Sequence, residues 1–377
     1  MQLKNKKKKL VHFIHKPFLA GAQRASLDIF KSMDKDDYEL FLIYAHDSSF
    51  PSELIIPFVK EFELLGVKTI PLYSLKKDIG FSDIFTLFEL FKVLKSVKPD
   101  IINTISSKPF FLGGVVSFLL RVPMRIHTIQ GLSWYDGMSF FQKYFRFGLE
   151  QICILFFNKI VFVNNYYMKF FLLNKSKFVY IPNGKKFDDL DPVPKDNNFI
   201  KILFIGRLDL QKDPFTLIFA FKNFLNNYKG NKNVFLDIVG DGPYRDSLVQ
   251  FVKKCPILEQ KVSFLGWSND VNFHLNKADI FISTPIYEAF GFVFLEAGNF
   301  YLPIVSTNTE GVPEVVLDKK GGFLSNVKDF VSISKSIEVL VDNPNLRLEL
   351  GKFHGQFCRK YYSSSLVDKY YNDLYSS

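Results

Sequence analysis

Two carboxylates, Glu288 and Glu296, flank Gly291 in the segment STPIYEAFGFVFLEA, residues 283–297. An apolar run over 279–283 ends there, Pro285 turns the chain, and the pattern predicts a helix opening just after Gly291. A helix start carries unpaired N–H groups and partial positive charge, so it suits an anion. Carboxylates beside such a site make sense if they hold sugar hydroxyls while the N–H groups hold phosphate. The plain alternative is a buried crossover with two solvated acids. Two cations extend the pattern. KILFI (201–205) followed by GRLDLQKDP puts Arg207 and Lys212 on one strand-to-helix loop. Pro214 is then the first residue of a helix to about Tyr228. The two cations can converge on a diphosphate, Arg as a planar fork and Lys as a compact charge. Taken singly, they read more readily as solvated loop cations.

The elements that would position these groups recur along the chain. FLDIVGDGP (235–243) reads as a strand ending in a Gly-rich turn, and 262–265 with Gly266 and 303–306 read as further strands. Strands alternating with helices describe a doubly wound parallel α/β sheet, whose ligands bind beyond the carboxyl ends of the strands. Each candidate residue falls on that edge. The first half repeats the rhythm, with strands expected at 10–14, 38–44, 67–70, 100–103, 125–129 and 159–163. A helix is expected from Gly21 to about Met33, and another over 82–97 with Ser82 as its N-cap. Prolines and polar residues mark a linker over 191–198. A helical stretch over 345–375 closes the chain.

GRLDLQKDP, DIVGDGPYRDSL, VSFLG, ADIFISTPIYEAFGFVFLEA and STNTEGVPEVV, with LAGAQR (19–24) and IPNG (181–184), resemble family 4 of the retaining glycosyltransferases. These are GT-B enzymes that use nucleotide-diphosphate sugars. The resemblance implies two Rossmann-like, doubly wound parallel-sheet domains facing a cleft. Residues 1–187 would form the acceptor side and 188–360 the donor side, with 361–377 packing back onto the first domain. It implies that Arg207 and Lys212 hold the donor diphosphate, that Glu296 takes the ribose hydroxyls and that Glu288 takes the transferred sugar. By the same resemblance, Arg207, Lys212 and Glu288 would form the catalytic set. Backbone groups of Phe290, Gly291 and Phe292, with Gly21 of the first domain, complete the donor contacts. No metal and no cofactor beyond the donor is implied; the leaving phosphate helps to deprotonate the acceptor. Two positions depart from the family pattern. Ala20 stands where a first glycine is usual, leaving any need for positive φ to Gly21 or to an altered loop. Gln130 stands where many relatives carry His, which keeps hydrogen bonding but not acid–base work. His127, three residues earlier on a strand, reads as a core histidine.

At 377 residues, 47% hydrophobic with 44 Phe, the chain can fill two cores. No apolar run is long enough to span a membrane, and no signal-peptide pattern is read at the N-terminus. Three scattered cysteines imply a reducing cytoplasm. The net charge of +10 comes with a lysine run at Lys4 and Lys6 to Lys9, read as a solvated tail or as an attraction to anionic lipid. FFQKYFRF (140–147) suits an interfacial helix, but a helix with one buried aromatic face is the preferred reading. No nucleic-acid motif accompanies the charge. The expected function is sugar transfer to a saccharide or lipid-linked acceptor in capsule, O-antigen or lipopolysaccharide synthesis. The expected location is cytoplasmic, with peripheral contact to an anionic membrane. The alternatives are a GT-B sugar-nucleotide epimerase, which needs no acceptor, and a non-catalytic donor-binding member.

Overall fold

The computed structural model describes residues 6–47, 50–76, 80–134, 138–190 and 199–376. It divides into two compact units, residues 1–184 with 364–377 and residues 185–363. The expected linker at 191–198 and Lys4 lie outside the described residues. Among the described residues, no helix is long and apolar enough to cross a membrane.

The first unit is built on β1 (Lys8–Ile14), β2 (Tyr38–Ala45), β3 (Lys68–Leu72), β4 (Ile101–Ile105), β5 (Met124–Ile129), β6 (Lys159–Phe162) and β7 (Phe178–Tyr180). The strands are parallel and run in the order β3-β2-β1-β4-β5-β6-β7. Helices cover both faces, so the central strands read as near-continuous apolar runs, such as LVHFI in β1. The polar exception in that run is His12. It is fully buried, with Nδ1 2.6 Å from the Ser26 hydroxyl and Nε2 3.0 Å from the Tyr375 hydroxyl. Burial lowers its pKa to about 3, so the ring is neutral. Tyr375 belongs to the helix Ser364–Ser376, which also buries Val367 and Tyr371 in the core shared by Leu10 and Leu40.

The second unit holds β8 (Phe199–Ile205), β9 (Asn233–Val239), β10 (Val262–Gly266), β11 (Ile280–Ser283), β12 (Ile304–Thr307) and β13 (Gly322–Ser325). Their order is β10-β9-β8-β11-β12-β13, all parallel. Ile202, Phe204, Leu236 and Ile282 pack with Leu217 and Phe221 of the helix Pro214–Asn227 in one core. The strand order reverses between β8 and β11, which are neighbours in space but not in sequence.

Several expectations need correction. The stretch 345–375 is two helices, Pro344–Tyr362 and Ser364–Ser376, because Ser363 takes extended backbone (φ −66°, ψ 141°) and bridges to Lys185. Ser82 is the first helical residue, and Phe81 occupies the cap position with no side-chain bond. Strands β7 and β13 were not anticipated; at three and four residues they are too short to show a period. The lysine run is only partly a tail. Lys8 and Lys9 are strand residues, and Lys9 is pinned by its ammonium to the Val97 carbonyl (2.9 Å) and by its N–H to Asp100 (2.8 Å). In the helix Phe140–Cys153 the aromatic stripe Phe140, Phe141, Tyr144 and Phe145 is exposed rather than buried. The buried face instead carries Glu150, Gln151 and Cys153.

Candidate active site

In the second unit, the loops following β8 and β11 emerge side by side at the reversal of strand order, the position where open α/β sheets bind ligands. The β8 loop begins at Gly206 and ends at Asp213. Asp213 adopts a left-handed conformation (φ 42°), and its carboxylate accepts from the Thr216 hydroxyl at 2.6 Å. With Pro214 at the first helical position, this cap fixes where the helix Pro214–Asn227 starts.

The two loops are laced together by polar bonds. Gln211 accepts the Ile286 N–H on its carbonyl (2.8 Å) and donates its amide to the Tyr287 carbonyl (3.2 Å). The Thr284 hydroxyl donates to the Asp213 carbonyl at 2.9 Å. A third segment joins from β12: the Thr309 hydroxyl donates to the Ile286 carbonyl (2.9 Å), and the Gly311 N–H donates to the Glu288 carbonyl (3.1 Å). Against this frame the Lys212 ammonium donates directly to the Glu288 carboxylate. Both side chains are nearly withdrawn from solvent, at 13% and 12% exposure. Two charges held that dry need each other, since removing one leaves the other unpaired.

Arg207 is placed differently. Its guanidinium pairs with Asp209 at 3.0 Å and donates to the Gln211 side-chain oxygen at 2.8 Å, and it is 60% exposed. The structure therefore brings Lys212 onto Glu288, and connects Arg207 to the β11 loop through Gln211.

Gly291 precedes the helix Phe292–Asn299 in left-handed backbone, φ 78°. A Cβ there would stand 2.5 Å from the Phe294 ring and 3.3 Å from Glu288 Cγ, so the position admits only glycine. Phe292 opens the first turn, in which the Phe294 N–H donates to the Gly291 carbonyl at 2.9 Å; the N–H groups ahead of it are those that a helix start leaves without an intrahelical acceptor. Phe290 is buried and sits edge-on to Tyr362 at 5.4 Å. Glu296 lies half-buried one turn further along. This helix is held near its start and at its far end by the helix Pro344–Tyr362. His354 Nε2 lies 2.9 Å from the Phe294 carbonyl, and Arg359 donates to the Gly298 and Asn299 carbonyls at 3.2 and 3.1 Å. A cation at a helix C-terminus favours the dipole that points its positive end at the site. Gly240 makes a further close approach: at φ 140°, a Cβ would fall 1.9 Å from the Gly206 carbonyl oxygen.

Gly21 belongs to the first unit, as the first residue of the helix Gly21–Ser32. Ala20 before it is extended (φ −112°, ψ −175°), so alanine at that position carries no strain. Gln130 exchanges two amide hydrogen bonds with Asn183, at 2.8 and 2.9 Å. His127 is buried, stacked on Phe110 at 3.8 Å with Nδ1 2.8 Å from the Thr104 hydroxyl. Burial lowers its pKa to about 3. Gln211, Thr309 and Gly311 lie inside the segments GRLDLQKDP and STNTEGVPEVV, but nothing in the sequence marks them individually.

Residues 186–355 match the family described as glycosyl transferases group 1. The chain is 26% identical to the Escherichia coli UDP-Gal:alpha-D-GlcNAc-diphosphoundecaprenol alpha-1,3-galactosyltransferase, over 100% of this chain and 98% of that protein. It is 25% identical to the capsular polysaccharide biosynthesis glycosyltransferase CapM of Staphylococcus aureus, over 80% and 83% of the two chains. In fold it is similar to Anabaena Alr3699/HepE, solved in complex with UDP, with TM-score 0.81, 16% identity and coverage of 98% and 99%.

Proposed function

We infer from residues 186–355, which belong to group 1 of the glycosyl transferases, that the chain is a glycosyltransferase of the GT-B fold. We propose that it moves a sugar from a nucleotide-diphosphate sugar to a lipid-linked saccharide during assembly of a cell-surface polysaccharide. The galactosyltransferase relative acts on a diphosphoundecaprenol-linked sugar and CapM serves capsule synthesis, which supports that class of acceptor. The HepE complex supports a uridine nucleotide as the first donor to test. Work on a lipid-linked acceptor puts the enzyme at the cytoplasmic face of a membrane.

The observation that carries the reading is the Lys212–Glu288 pair at the reversal of strand order. Breaking a sugar–phosphate bond leaves negative charge on the nucleoside diphosphate and positive character on the sugar. Lys212, Arg207 and the helix start at Gly291 stabilise the first, the electrostatic contribution that is usually largest. Glu288, already beside Lys212, accepts from the sugar hydroxyls. Glu296 accepts from the ribose, and Phe290, Gly291 and Phe292 offer backbone contacts. The reaction on this reading retains configuration, as in family 4, with the departing phosphate taking the acceptor proton. Gln130 is no obstacle, because no side-chain base is required.

A thermal-shift panel of nucleotide sugars tests the donor side. A ligand at 100 times its Kd stabilises by about 2.7 kcal/mol. The expected result is a shift with one nucleotide diphosphate that disappears in Lys212→Ala. A panel without any shift would remove the donor-site reading.

A further inference from the structure

The first unit presents an aromatic surface on three neighbouring helices, Ser82–Val97, Ser107–Leu119 and Phe140–Cys153, the middle one packing against both others. They follow β3, β4 and β5, so their first turns lie together at the carboxyl edge of the parallel sheet. Along the first helix, counted from its cap residue Phe81, Phe81, Ile84, Phe85 and Phe88 fall at successive spacings of three, one and three residues, one stripe, and all are exposed; Phe85 and Phe88 are 69% and 66% accessible. On the third, Phe140, Phe141, Tyr144 and Phe145, at spacings of one, three and one, form a second exposed stripe, with Phe141 at 85% and Phe145 at 71%. Phe111 stands between them on the middle helix. Scattered apolar residues are ordinary on a surface, but aromatics collected at one edge are not.

The charges carried by these three helices are sorted by sign. The three helices contain three acids, and each is turned to an internal partner. Asp83 pairs with Lys108 at 2.7 Å. Glu89 accepts from the Ser74 and Tyr73 N–H groups at 3.0 and 3.1 Å. Glu150 accepts from the Ser133 N–H and the Trp134 indole at 2.9 and 3.0 Å. The stripe of the first helix runs on into Lys92 and Lys95, both exposed. Lys143 and Arg146 flank the stripe of the third. Lys143 lies over the Trp134 ring at 5.5 Å, and Arg146 donates to the Ser133 carbonyl at 2.8 Å.

We propose that this edge of the first unit docks on a bilayer containing anionic lipid, with the phenylalanines entering the interface and Lys92, Lys95, Lys143 and Arg146 meeting the headgroups. Aromatic rings favour the boundary between headgroup and acyl chain, and each nearby cation adds about 1 kcal/mol of attraction. A protein partner of opposite character would have to be acidic and apolar at once; an anionic bilayer is both over its whole area. The inference names a membrane partner for the proposed transferase and stands on surface geometry apart from the donor site. It assigns the anchor to the helices rather than to the lysines at the N-terminus.

Sedimentation with phosphatidylcholine vesicles, with and without phosphatidylglycerol, tests it on the full chain. The wild type is expected to pellet with the anionic vesicles and to release as salt is raised. Phe85→Ser, Phe88→Ser, Phe141→Ser and Phe145→Ser combined should weaken partitioning about tenfold or more, with thermal stability and nucleotide binding unchanged. Lys6→Gln with Lys7→Gln should alter it less than about threefold. A Phe141→Trp reporter should blue-shift on the anionic vesicles and be quenched by brominated acyl chains. The proposal is overturned if the fourfold variant pellets like the wild type, or if the wild type pellets with neither vesicle. It is equally overturned if the same four substitutions abolish a lipid-free dimer in size-exclusion light scattering, which would assign the surface to a second copy of the chain. Loss of the nucleotide-sugar thermal shift would strike the donor reading alone.

Discussion

Lys212 and Glu288 are opposite charges held together out of water, so neither can be removed silently. On the proposed function, the donor diphosphate would be a further partner for the ammonium. Lys212→Ala is therefore expected to lower turnover by about 10²–10³-fold, read as acceptor-dependent release of nucleoside diphosphate under saturating donor. Glu296→Ala removes charge-assisted hydrogen bonds worth about 1.5–3 kcal/mol. It should weaken nucleotide binding by roughly ten- to a hundredfold in calorimetry while leaving the melting temperature alone; unchanged affinity would refute its ribose role. Gly291→Ala places a Cβ against the Phe294 ring in left-handed backbone, a strain of about 1–3 kcal/mol. Lower thermal stability and weaker nucleotide binding should appear together in that variant. The charged residues were legible only as a set: each alone reads as a solvated charge, but Arg207 and Lys212 on one loop and Glu288 and Glu296 about one helix start fall on the same edge of the sheet. Gln211 was not. Its side chain and backbone both serve the neighbouring loop, and such lacing depends on which loops the sheet sets side by side, not on local pattern.

At the scale of elements, the strand-to-helix units were readable because apolar strands and turn glycines announce them. The helix Pro214–Asn227 starts at the expected proline, and the helix Phe292–Asn299 starts at the residue after Gly291. Reading the aromatic face of the helix Phe140–Cys153 as buried failed for a physical reason. Periodicity says which residues share a face but not whether the sheet or the solvent receives it. The polar network under the helix Ser364–Ser376 was equally hidden, because it joins residues more than 270 positions apart. There the Tyr375 hydroxyl meets His12 Nε2 at 3.0 Å and accepts from the Asn103 amide at 2.8 Å. Tyr375→Phe should cost about 1–3 kcal/mol by leaving these groups unpaired, measured as a drop in urea midpoint. A variant as stable as the wild type would show that the hydroxyl contributes nothing.

Over the whole molecule, buried neutral histidines set an acid limit. His12 and His127 have pKa values lowered to about 3, and His354 to about 4, by desolvation. Between those values and the ordinary 6.5, the unfolded chain binds protons that the folded chain refuses, so stability rises with pH in that window. Urea midpoints should fall steadily from pH 6.5 to pH 4 and be flat from these groups above pH 7; midpoints constant down to pH 4 would contradict the burial. The account as a whole turns on one reaction at the carboxyl edge of the second sheet. The most direct measurement is nucleoside-diphosphate release from a UDP-sugar panel, with and without a diphosphoundecaprenol-linked saccharide, for the wild type and Lys212→Ala. The account predicts release with the wild type that requires the acceptor and nearly vanishes in the variant. A sugar altered without acceptor, or a Lys212→Ala protein releasing at the wild-type rate, would contradict it.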